Sequence, residues 1–235
     1  TPSRSKRPIA SPERFSRKAL DAIREDVGSV AWYPEYQGWP HSTEGATFKR
    51  EWMQVVSAAP ATFEKRVRYW DKAGTAGGGN YSAGVLMGRK DGLYYVLDVV
   101  RGQWSSKGRE DVIRQTAYLD GLDTEIWVEQ EGGSGGKESA ENTVRNLAGF
   151  NVHTETVSGS KEVRARPLAA QFEAGNVLIV RGSWNRDYIN ELCSFPNGRN
   201  DDQVDGSSGA FNKLALGAKT PAVKAVTAPS PFEGV

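Results

Sequence analysis

The chain has 235 residues, 38% hydrophobic and 25% charged. That is the composition of an ordinary globular protein with one sizeable core, which excludes a disordered or membrane-embedded chain: no apolar run approaches a membrane span, and the N-terminal region lacks a signal-peptide stretch. A net charge of +1 leaves nucleic acid open as a partner, because a local basic face can coexist with a near-neutral total, and Arg4, Lys6, Arg7, Arg14, Arg17 and Lys18 crowd the start.

Three zones follow one another. Residues 1–65 carry basic, Pro-containing and aromatic stretches without a long period, apart from a predicted helix over Pro12–Glu25. The chain opens on Thr1 rather than Met, so a fragment of something longer is expected. From there Arg66–Lys72 alternates Val67 and Tyr69 with polar neighbours, as a strand does. A Gly-rich turn over Gly74–Asn80 precedes two strands, Ser82–Arg89 and Leu93–Arg101, joined by the turn dipeptide Asp91-Gly92. Lys107–Leu122 spaces Val112, Ile113, Thr116 and Leu119 as one helical face. Thr124–Gln130 reads as a strand, Lys137–Gly149 as a helix and Asn151–Val157 as a short strand. Glu162–Glu173 is helical, with Pro167 limiting where that helix can start. Val177–Val180 is a strand, Trp184–Cys193 a helix, and Asp201–Leu216 a helix with Val204, Phe211 and Leu214 on one face. Residues 217–235, with Pro221, Pro229 and Pro231, read as a mobile tail.

Three strands in series make an antiparallel meander, and the later strands need crossover helices and so lie parallel. The expected fold is α/β, a mixed sheet flanked by helices of the kind found in RNase H-like proteins. Other mixed α/β folds fit the same order nearly as well.

Acids mark the ends of these elements. Asp71 lies near the end of the first strand, Glu129 ends TEIWVEQ, and strand parity puts Glu131 on the same face as Glu129. Asp201, Asp202 and Asp205 open the last helix. Carboxylates brought together from two strand ends and a helix start repel one another unless cations neutralise them. One cysteine, Cys193, excludes a thiolate site, and two histidines, His41 and His153, argue against a histidine-rich one. Oxygen ligands favour Mg2+ or Mn2+, and a pair of such ions can perform phosphodiester hydrolysis. The ordinary readings compete: a strand-end acid is usually a solvated turn residue, and Asp201 and Asp202 suit helix capping.

At these residues the chain resembles the nuclease domain of phage large terminase subunits, over about Trp32 to Leu216. In that family an Asp closes the first strand, as in RYWDKAGT. An acid closes a later strand before glycines, as in IWVEQEGGSGGK, and a DDxxD-like run opens the last helix, as in FPNGRNDDQVDG. VRARPLAAQFEAGNVLIV resembles the stretch before the family's final strand, and WYPEYQGWPHSTEGATFKREW its passage from ATPase to nuclease. The resemblance implies a linker from an ATPase domain over 1–65, an RNase H-like nuclease over 66–216 and a flexible tail over 217–235. It implies an endonuclease that cuts concatemeric double-stranded DNA with two Mg2+ or Mn2+ ions. Asp71, Glu129, Asp202 and Asp201 are then the catalytic acids, with Asp205 a further metal ligand and Asp202 the favoured third acid. It also implies a small terminase subunit and a portal protein as partners, in the host cytoplasm. No G-x-x-x-x-G-K-[ST] occurs; around Gly136-Lys137 the match fails at Glu131 and Glu138, so no ATP hydrolysis is expected. A resolvase-type RNase H-like nuclease and a non-catalytic DNA-gripping module are the alternatives.

Other signals carry less. Gly132-Gly133-Ser134-Gly135-Gly136 matches a hydrolase nucleophile elbow, but His153 follows too soon for the usual Asp-then-His order. Lys137 suits a phosphate contact or a solvated helix start. Arg164 and Arg166 suit a DNA groove or a plain helix face, and the glycines at Gly74–Gly79 suit a phosphate or a hairpin turn. Trp32, Trp39 and Trp52 are expected to pack on the core rather than stack on a base, and Cys193 to join the core.

Overall fold

The computed structural model describes residues 47–72 and 81–215, all within one unit, Ala46–Val235. The predicted helix over Pro12–Glu25, the basic run at the start, Trp32, Trp39, His41, the Gly-rich turn over Gly74–Asn80 and the tail over 217–235 lie outside the described residues. Seven strands form one sheet: β1 (Gln54–Val56), β2 (Lys65–Asp71), β3 (Ser82–Lys90), β4 (Leu93–Gly102), β5 (Thr124–Glu129), β6 (Val152–Glu155) and β7 (Val177–Val180), in the order β1-β7-β4-β3-β2-β5-β6. The helices are α1 (Ser106–Asp120), α2 (Ser134–Asn146), α3 (Lys161–Glu173), α4 (Asn185–Ser194) and α5 (Asp202–Ala215).

β3 pairs antiparallel with β2 and β4, while β2–β5, β5–β6, β4–β7 and β1–β7 pair parallel. This is the meander followed by parallel strands that the element order implies. The β3–β4 turn needs positive φ at both Asp91 (51°) and Gly92 (79°), the geometry that matches strand twist in a tight hairpin. Each later strand returns through a helix, because a parallel neighbour cannot be reached by a tight turn.

The helices cover both faces. On one, Val67, Tyr69, Val85 and Val96 of the sheet bury against Ala165, Leu168 and Phe172 of α3 and Val204, Phe211 and Leu214 of α5. On the other, Trp70, Ile126 and Val128 meet Ile113 and Ala117 of α1 and Leu147 after α2. β2 is therefore buried on both sides, unlike the half-wet strand its alternation suggests. Arg68, a polar position in that alternation, is 1% exposed and donates to both carboxylate oxygens of Asp120 at 2.7 Å, to Asp98 at 2.9 Å and to the Gly84 carbonyl at 3.0 Å.

Several elements depart from expectation. Gln54–Val56, inside the zone read as linker, adds an edge strand beside β7, whereas Trp52 and Cys193 pack against the core as expected. Helix α2 starts at Ser134, not Lys137, so the last two glycines of the run are helical. Helix α3 holds Pro167 and keeps its expected span to within one residue. Leu119, placed on the apolar face of α1, is 81% exposed; Arg109, Ile113, Thr116, Ala117 and Asp120 form the buried face. Glu131 lies beyond the end of β5, so strand parity does not orient it. Among the described residues no helix is long and apolar enough to cross a membrane.

Candidate active site

The carboxyl ends of β2, β5 and β6 lie side by side, each closing on an acid. Trp70 pairs with Val128, which sets Asp71 beside Glu129 one residue further on, and Glu129 pairs with Glu155. Parity does the rest: Asp71 follows Tyr69, and Glu129 follows Trp127, onto the face covered by α3 and α5. Helix α5 brings its acids over the same strand ends because its middle has no bulk. A Cβ on Gly209 would fall 2.5 Å from the Tyr69 ring, and one on Gly206 3.0 Å from Val85. Gly206, Ser207 and Ser208 between them are buried. The run DGSSG lets a helix lie directly on β2 and β3, with Asp202 and Asp205 in its first turn.

The three helix acids face different partners. Asp205 is 3% exposed and takes both α3 cations, Arg164 Nη2 at 3.0 Å on Oδ1 and Lys161 Nζ at 2.7 Å on Oδ2. Asp201, more open, shares Lys161 at 2.7 Å. Asp202 turns toward Arg101 of β4 at 3.6 Å, and its Oδ2 is buried without a hydrogen bond. Arg164 also donates to Glu129 at 3.3 Å, so one guanidinium joins the β5 acid to the α5 acid. The helix start is capped from outside: Glu191 of α4 accepts from the Gln203 backbone N–H at 2.6 Å. Glu155 accepts from Tyr69 Oη at 3.1 Å and from Lys213 at 2.5 Å.

Burial raises the pKa of Asp71 well above the usual carboxylate range, and the charges of Glu129, Asp205 and Asp202 push it further. Burial also raises Glu129, Asp202 and Asp205, with the cations opposing it. Among the described residues the Asp71 carboxyl meets its neighbours through charge alone, with no side-chain hydrogen bond or ion pair. Among them, too, no three metal-ligating side chains stand so as to hold one ion as they lie. The donor set nonetheless fits a hard divalent cation: it is all oxygen, it is crowded with like charge, and Asp202 Oδ2, though 3.6 Å from Arg101, is buried without a hydrogen bond.

The opposite face of the same strand end holds a different group. Lys72 is buried, donates to Ser139 and Thr143 and lies 3.8 Å from Glu110; burial lowers its pKa to about 8. A cavity of about 360 Å³ runs from Lys72 and Arg109 past the end of β5, where Glu129, Glu131 and the glycines at the start of α2 line it. Lys137 is exposed and pairs with Glu141, and Arg166 is exposed. His153 stacks on Trp127 at 4.5 Å, as a packed ring. The acids of the site come from positions the sequence singles out. Lys161, Arg101, Glu155 and Glu191 do not, because bases one helical turn apart read as a solvated face and Glu155 as an ordinary strand residue.

Residues 68–214, more than half of the chain, match the family described as terminase RNase H-like domain. Among solved structures the chain is similar to the large terminase nuclease from thermophilic phage G20c with bound magnesium, at 13% identity and a TM-score of 0.53, covering 73% of this chain and 98% of that one. The same phage nuclease has a structure with bound zinc. A Thermus phage large terminase nuclease domain matches at 12% identity and a TM-score of 0.51, covering 72% and 95%. The large terminase of another thermophilic bacteriophage matches at 15% identity and a TM-score of 0.53, covering 86% of this chain and 54% of that one, so the chain spans about half of that protein. At such identities the likeness shows the fold. No curated protein matches the chain in sequence.

Proposed function

The chain belongs to the terminase RNase H-like domain family, and from that premise we propose that it cuts concatemeric double-stranded DNA as a Mg2+- or Mn2+-dependent endonuclease. The observation that carries this reading is the meeting of Asp71, Glu129 and Asp205, from two parallel strand ends and a helix start, on one face of the sheet. Asp71, Glu129 and Asp205 would hold two divalent ions, with Asp202 and Asp201 at the margin. This ranks Asp205 ahead of Asp202, the reverse of the order expected from sequence, because Asp205 shares Arg164 with Glu129 whereas Asp202 turns toward Arg101. Two bound ions supply hydroxide from water and stabilise charge on the leaving oxygen. The protein's own part is to fix the carboxylates on packed elements around a half-buried pocket. Cutting addresses the backbone, so little sequence preference follows. A linker within residues 1–65, upstream of the stretch that joins the core and β1, 217–235 as tail, and a small terminase subunit and portal protein as partners in the host cytoplasm belong to the same reading.

Plasmid cleavage tests it. The chain should nick or linearise DNA in Mg2+ or Mn2+ and be silent in EDTA; full activity in excess EDTA would sink the metal mechanism. A non-catalytic gripping module is favoured by one observation, that no three ligands converge as the side chains lie among the described residues. DNA binding without cutting at any Mg2+ or Mn2+ concentration would select it.

A further inference from the structure

Two cations of α3 already occupy the oxygens that the proposed ions require. Arg164 and Lys161 lie one turn apart at the start of that helix, which Ala165, Leu168 and Phe172 fix against the sheet. Between them they engage both oxygens of Asp205, one of Glu129 and one of Asp201, at 2.7–3.3 Å. The first turn of a helix is the wrong end for positive charge, since its free N–H groups already make it positive. The bases are therefore held there by the acids and not by the helix. Arg164 Nε is buried without a hydrogen-bond partner, so its head group has no neutral acceptor to keep it in place once the carboxylates are taken from it. Lys161 is 44% exposed in its side chain.

We propose that Arg164 and Lys161 are internal counter-ions that stand in for metal at Glu129 and Asp205, so that metal binds only by displacing them and they set the affinity of the site. The inference rests on the two-metal reading and deepens it. Four ion pairs must open as the carboxylates turn to a divalent ion, and the energy of those pairs is subtracted from metal binding. Released, the two side chains remain at the site as positive charge for the DNA backbone.

Calorimetric titration of Mn2+ into metal-free protein without DNA tests this, together with thermal unfolding in EDTA. Arg164→Gln should bind Mn2+ roughly tenfold more tightly, as expected for losing about two partly buried ion pairs. Its melting temperature in EDTA should fall by roughly 2–4 °C. Lys161→Gln, at a more exposed position, should shift both quantities the same way by less, which keeps the test open if Arg164→Gln folds poorly. Arg166→Gln, on the exposed face of the same helix, should change neither. Equal or weaker Mn2+ binding in both Arg164→Gln and Lys161→Gln overturns the counter-ion role. If binding vanishes in Asp71→Asn but is unchanged in those two, the inference alone has failed. If no variant binds Mn2+, the metal reading fails with it.

Discussion

Asp71 is a carboxyl for which the fold supplies neighbours of its own charge, and its substitution separates function from stability. Asp71→Asn keeps the shape and removes the charge. Plasmid cleavage should fall by more than about a hundredfold, beyond what loss of an outer-shell partner gives. Metal-free Asp71→Asn should meanwhile be more stable than the parent at neutral pH, by about 1 kcal/mol, as for other substitutions that relieve a strained site. The sign follows from linkage. Burial and like charge raise the folded pKa, so the native state binds the proton more tightly than the unfolded one, and stability is lost as pH rises from the ordinary carboxylate range through the folded value. The advantage of the amide should therefore fade on acidification; urea melts in EDTA at several pH values measure it. Among the helix acids, Asp205→Asn should impair cleavage more than Asp202→Asn, and Glu131→Gln, beyond the strand, should change it little. Asp71 and Glu129 are legible in the sequence because each closes an alternating run. The rank of the three helix acids is not, since it depends on which of them meets Arg164 and which meets Arg101, bases distant in the chain.

At the scale of elements, α5 carries the site because it can approach the sheet. Gly209 against Tyr69 sets that approach. Gly209→Val should lift the helix from β2 and destabilise the domain by about 1–3 kcal/mol, the usual penalty for overpacking, with a loss of cleavage that Asn substitutions in the acids would not explain by stability. Chemical denaturation alongside plasmid cleavage checks both. The helix itself is readable from Val204, Phe211 and Leu214, yet the glycines and serines between them look like helix-weakening residues until the strand beneath is known. Strands β3 and β4 were legible for the opposite reason: Asp91-Gly92 encodes its own turn. β1 was not, because three residues have no period and are held only by pairing with β7, far along the chain. Helix α3 is legible despite Pro167, because Ala165, Leu168 and Phe172 still mark a buried face around the proline. Leu119 fits the helical spacing of α1, but the sheet lies under Ile113, Thr116 and Ala117 instead.

For the whole molecule, the order of strands decides where chemistry can occur. Six of the seven strands run one way and β3 the other, so the carboxyl ends of β2, β5 and β6 open along one edge, where open α/β sheets bind their ligands. The mixed sheet is readable from three strands in series followed by strands alternating with helices; the convergence of its acids is not, since spacing along a chain says nothing of distance across a sheet. That geometry leads to the claim that divalent metal sits between Asp71, Glu129 and Asp205 once α3's cations withdraw. Crystals of the chain soaked in Mn2+ and measured near the manganese absorption edge test it most directly. The predicted result is anomalous density bounded by those three carboxylates, with Arg164 no longer bonded to Glu129. Crystals in which Mn2+ binds elsewhere and leaves Asp71 bare, from protein that still cuts plasmid in Mn2+, would contradict it.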